Sequence, residues 1–199
     1  MASTYMRVAG ALTAFGGIAW GVAWIVTPSS SDDHNLLEFW ASVPFSVGLL
    51  ALLTAMWVTA ATGTGRWGRG FLAAEAVAVV LALCWTLPYL VDIDRPNTGV
   101  LMVLDLFWPL SMLGLVVVGV LVARARRWPR PLRYLPLAAS LLLVVDMAFF
   151  WASDRVATLV TGSYLAVSYG ILGVMMIRSA ADACSSRSPE EPLRADPRG

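Results

Sequence analysis

Three carboxylates lie inside apolar runs of this sequence: Glu75, Asp105 and Asp146. A charge at mid-membrane costs roughly 2.5–3.5 kcal/mol on insertion scales, so such residues face the protein interior or water and are candidates for function. Asp105 and Asp146 each fall about six residues from the outer end of their runs, roughly 9 Å deep at a rise of about 1.5 Å per residue. Two acids at matching depth on separate helices are placed to face one another. Trp108 follows Asp105 by three residues, which puts both on one helix face. Pro109 removes a backbone donor and is expected to kink the helix beside Asp105. Tyr89 closes the third run, Tyr164 lies in the last with Ser168 one turn below, and Arg155 stands at an outer turn.

Asp105, Asp146, Trp108, Tyr164, Tyr89 and Arg155 together predict an outward-facing polar pocket lined by aromatics. Carboxylates beside Trp and Tyr suit a cationic or amphipathic ligand. The plainer alternative is that each acid bonds a nearby Tyr, Ser or backbone group and only fixes helix register. Glu75 falls four residues into the third run from the cytoplasmic side, so it reads first as an interfacial anchor or a partner of Arg66 or Arg69.

The elements that must position these residues are membrane helices. Residues 99–123 carry one charge, Asp105, and are followed by Arg124, Arg126, Arg127, Arg130 and Arg133. An apolar run of about 20 residues crosses the hydrocarbon, and arginines gather on the cytoplasmic side of short loops. That fixes the direction of the fourth span. The others follow: 8–27, 38–61, 71–91, 135–152 and 156–177, six in all. Both termini are expected in the cytoplasm, with loops 28–37, 92–98 and 153–155 outside and a disordered tail over 178–199. In this orientation 12 arginines lie inside, and only Arg95 and Arg155 outside. Backbone groups in lipid must bond internally, so the runs are helices. The expected fold is an all-α, six-span helical bundle forming one membrane domain over 1–177.

Composition narrows the chemistry. The 199 residues are 58% hydrophobic and 14% charged, against about 25% charged in soluble domains. Mean hydropathy is +0.72. All 14 basic residues are Arg. The absence of Lys excludes a Schiff base or a lysine nucleophile. The single His34 excludes bis-histidine haem and a histidine-rich metal site. Cys84 and Cys184 fall at different depths, so no disulfide framework is expected. No Walker, G-x-S-x-G, H-E-x-x-H or C-x-x-C motif occurs. No cofactor, metal or nucleic-acid partner is expected. The all-Arg, Ala- and Gly-rich usage matches a high-GC bacterium, and the cytoplasmic (inner) membrane of such a cell is the expected location.

Small residues at four-residue spacing mark close helix contacts. Gly162, Ala166 and Gly170 share one face of the sixth span, Thr13, Gly17 and Gly21 one face of the first, and Ala74, Ala78 and Ala82 one face of the third. Internal packing is the first reading of these seams and a homo-oligomer the second. Trp24, Trp85 and Trp151 recur near outer helix ends and read as interfacial anchors. Three function classes stay open. The first is a protein that binds or transports a small molecule at the Asp105–Asp146 pocket. The second is a membrane enzyme using paired acids on a lipid or isoprenoid. The third is an accessory or scaffold protein without a ligand.

Overall fold

The computed structural model describes residues 2–27, 35–149, 151 and 153–185. The expected outer loop over 28–34 and the tail beyond Ser185 lie outside the described residues. Every regular element described is a helix: α1 (Ala2–Val26), α2 (Leu36–Val58), α3 (Arg66–Tyr89), α4 (Val100–Asp105), α5 (Phe107–Ala125), α6 (Leu135–Ser140), α7 (Leu142–Phe149) and α8 (Asp154–Ser185). Five stretches are long and apolar enough to cross a membrane: Ser3–Val26, Leu36–Val58, Arg66–Tyr89, Val100–Ala125 and Asp154–Asp182. This is the pattern of a multi-pass helical membrane protein.

α2 is the central element. Phe45, Leu49, Leu52, Leu53 and Met56 are all buried along it, and α1 and α3 pack against its two sides. α1 also runs along α8, where the backbones come close at two levels. A Cβ on Gly162 would stand 2.7 Å from the Gly21 carbonyl oxygen, and one on Gly10 would stand 2.6 Å from that of Gly173. Only glycine allows this approach. Two of the expected seam residues, Gly21 and Gly162, therefore meet one another inside the bundle. Gly170 meets only the Ile18 side chain, at 3.6 Å.

Several boundaries differ from the sequence reading. α3 begins at Arg66 rather than at 71, because Gly68 lets the first turn pack back onto Thr62; a Cβ there would lie 2.7 Å from the Thr62 carbonyl oxygen. The fourth run is interrupted at Leu106. Pro109 has no N–H to offer the Asp105 carbonyl four residues back, and its ring crowds that carbonyl. The expected fifth span, 135–152, is the short apolar pair α6 and α7, Leu135–Phe149, broken at Leu141. There the Ala138 carbonyl accepts from the Leu141 amide at 3.2 Å and also from the Tyr164 hydroxyl. A side chain inserted into the ladder is a recognised cause of a helix break. α8 continues to Ser185, so residues 178–185 are helical rather than part of a disordered tail. Ala180 is buried against the core, and alanine is the strongest helix former.

The arginine-rich loop is anchored rather than free. Trp128 is buried and donates from Nε1 to Thr59 Oγ1 at 3.0 Å, tying the loop to the end of α2.

Candidate ligand-binding site

The helix ends on one side of the bundle surround a cavity of about 420 Å³. Trp20 and Trp24 come from the last turns of α1. Glu38, Phe39 and Ser42 come from the first turns of α2, and Trp85 and Thr86 from the end of α3. Asp105 closes α4, and Trp108, Pro109 and Met112 open α5. Leu142, Leu143 and Asp146 belong to α7, and Thr161 to the start of α8. Successive chain segments thus contribute alternately a late and an early turn to the same cavity.

Asp105 and Asp146, expected to share a pocket, both line this cavity. Among the described residues, each accepts from a neutral donor. Asn97 Nδ2 donates to Asp105 Oδ2 at 2.9 Å, while Asn97 Oδ1 accepts from Trp85 Nε1 at 3.3 Å. Thr161 Oγ1 donates to Asp146 Oδ1 at 3.1 Å. Among the described residues, no arginine or histidine lines the cavity. The break at Leu106 is what turns the end of α4, and with it Asp105, toward Asn97 in the preceding loop.

The aromatic wall is a connected set. The Trp20 ring lies 5.2 Å from that of Trp108, 5.8 Å from Trp24 and 4.6 Å from Phe45. On the opposite flank Phe39 lies 5.6 Å from Trp85. Such rings offer electron-rich faces to a cation, each contact giving about 0.5–2 kcal/mol depending on desolvation. Among the described residues, no three of His, Cys, Asp and Glu converge as a metal site.

The other expected pocket residues stand elsewhere. Tyr89 is fully buried behind the wall, stacked on Phe39 at 5.0 Å. Tyr164 occupies the break between α6 and α7 and lines a separate apolar groove with Leu135 and Ile171. Arg155 donates from Nη1 to the Ile25 carbonyl at 2.7 Å and so caps the end of α1 from the start of α8. All three lie near the cavity in sequence depth, but none of them lines it.

Glu75 also departs from expectation. It pairs with neither Arg66 nor Arg69, both of which are exposed. Because α3 starts at Arg66, Glu75 is nine residues into the helix and only 4% exposed. Its carboxyl lies against Gly114 of α5, and Oε1 has no hydrogen-bond partner among the described residues.

Sequence reading missed Trp20, Glu38, Phe39, Asn97 and Thr161. Trp24 and Trp85 stood out only as outer-end anchors. The one available signal was Trp20 and Trp24 at four-residue spacing, which places both on one face.

No protein-family model matches the chain, and neither a curated protein nor a solved structure matches it.

Proposed function

We propose that this protein binds or transports a small cationic or amphipathic molecule in the cavity lined by Asp105, Asp146 and Trp108. The observation that carries this reading is the meeting of two aspartates, neither paired with an arginine among the described residues, with a wall of tryptophans. A positive, partly apolar ligand supplies both the missing counter-charge and a partner for the rings.

The companion reading is a six-crossing topology with both termini in the cytoplasm of a bacterial inner membrane. It is supported by the alternation of late and early turns around the cavity, with α6 and α7 together counted as one crossing. The arginine bias supports the same orientation. In that orientation the cavity opens outward.

Hexyltrimethylammonium titrated into the protein in lipid nanodiscs tests the site through tryptophan fluorescence, since Trp20, Trp24, Trp85 and Trp108 all border it. Saturable quenching is expected, weakened about tenfold or more in Asp105→Asn and Asp146→Asn. Absence of quenching, or unchanged affinity in both variants, overturns the reading. Topology is read separately in a background with Cys84 and Cys184 replaced. A cysteine at Asn97 reacts with an impermeant thiol reagent in intact cells and one at Thr64 does not; the reverse pattern overturns the orientation.

A further inference from the structure

We propose that the loop joining α5 to α6 binds the phosphate of an anionic phospholipid, held by the guanidinium groups of Arg126 and Arg130 beside Tyr134. The loop begins where the membrane-length apolar stretch Val100–Ala125 ends, which is the level of lipid headgroups. Arginines on such a loop are ordinarily solvated and only mark its side of the membrane. Here the loop is folded. Trp128 and Leu132 are buried, and Trp128 is tied to Thr59. The Arg133 and Tyr134 amides donate to the Pro129 and Pro131 carbonyls at 3.1 and 2.9 Å.

Arg133 is only 8% exposed. Its Nη2 donates to the Tyr134 hydroxyl, yet its Nε has no hydrogen-bond partner among the described residues. The charges of Arg130 and Arg126 bear on the same hydroxyl, so three guanidinium groups lie within electrostatic reach of one phenol. No Asp or Glu occurs from Leu106 to Val145, so this segment supplies no counter-charge of its own. A buried charge is costly without an anion to pair it. Arg126, Arg130 and Tyr134 are exposed and are the groups an anion can reach. Guanidinium forks match phosphate oxygens. The Tyr134 oxygen accepts from Arg133, which leaves its own O–H to donate to the phosphate. Basic pockets at the ends of membrane helices recognise anionic lipid in this way. α5 exposes Val117 and Val120 in the turns before the loop, an apolar surface that acyl chains cover and a soluble phosphate does not.

The test titrates the delipidated full-length protein in detergent with dioleoylphosphatidylglycerol and counts bound lipid by native mass spectrometry. Retained lipid is expected, and Arg126→Gln/Arg130→Gln should weaken its binding about tenfold or more. Arg66→Gln/Arg69→Gln removes the same charge from exposed positions at the same end of the bundle and should change binding by less than about twofold. Equal losses in the two double variants would show diffuse attraction to positive charge and overturn the site. Unchanged binding in the first variant, or no lipid retained by the unaltered protein, overturns it too. Glycerol phosphate distinguishes a soluble ligand: displacement of the lipid at comparable concentration assigns the loop to a soluble phosphate ester and overturns the lipid proposal. Lipid binding that appears only after removal of 186–199 would give the site to the acidic Glu190 and Glu191 and has the same consequence. Should the first double variant fail to fold, Arg130→Gln alone, expected to weaken binding about threefold or more, decides.

Discussion

Thr161 donates to Asp146 across the gap between α8 and α7, at 3.1 Å, and holds this carboxylate at the cavity wall. Thr161 is itself buried, at 1% exposure. Valine keeps the shape of threonine but not the donor. Thr161→Val is therefore expected to lower stability by about 1–2 kcal/mol, the range for a bond to a charged group partly replaced by water. Cation binding should weaken at the same time. Thermal melting in detergent and probe titration measure the two effects. A variant with normal affinity would show that Asp146 is positioned by something other than Thr161.

Glu75 and Gly114 form a second pair with opposite expected signs. A Cβ on Gly114 would fall onto the Glu75 carboxyl, so Gly114→Ala should destabilise by about 1–3 kcal/mol through overpacking. Glu75→Leu removes a buried polar group lacking a partner at Oε1 and should be neutral or stabilising. The double variant should recover part of the Gly114→Ala loss, since residues in contact couple by about 0.5–3 kcal/mol. Strict additivity in a double-mutant cycle would contradict the contact.

The contact of Gly21 with Gly162 predicts a steep size dependence. Gly162→Ala puts a Cβ at 2.7 Å from a backbone oxygen, which has no rotamer to move into. A loss of about 1–3 kcal/mol is expected. Gly170→Ala, whose Cβ would meet only Ile18 at 3.6 Å, should be nearly silent. Comparing the melting of the two variants in detergent checks this, and equal effects would rule out close packing at Gly162.

Tyr134, outside the long apolar helices, gives a pH prediction. The Arg133 guanidinium donates to its hydroxyl at 2.6 Å and lies 4.6 Å from its ring centre. That hydrogen bond, with the positive charge behind it, holds the phenol below its ordinary value near 10. A group whose folded value is depressed adds stability above its unfolded value and loses it as pH falls through the folded one. The contribution therefore exists only in alkali. The difference in phenolate absorbance between the protein and Tyr134→Phe should titrate below free tyrosine, and Arg133→Gln should return it to the ordinary value. An unshifted titration would contradict the pairing.

Much of the fold was legible because membrane helices obey local rules. Apolar length, arginine placement and small residues at four-residue spacing are properties of contiguous segments, and lipid enforces internal backbone bonding in each one. Those rules marked out the five long stretches, and Pro109 foretold the interruption at Leu106 from its missing donor alone. Depth along a helix is also local, so the sequence placed Asp105 and Asp146 at matching depth, and both line one cavity. What the sequence left undecided is rotation and cross-chain contact. Tyr89, Tyr164 and Arg155 have suitable depth, yet packing sets them against Phe39, the Ala138 carbonyl and the Ile25 carbonyl. Asn97 and Thr161 carry no local signal, because their roles depend on partners elsewhere in the chain. Glu75 was misjudged because Gly68 lets α3 start a turn early, and the space opposite it depends on Gly114 of another helix. Segment type and depth are set by how each stretch meets lipid, whereas the facing of each side chain is set by the packing of all the helices together.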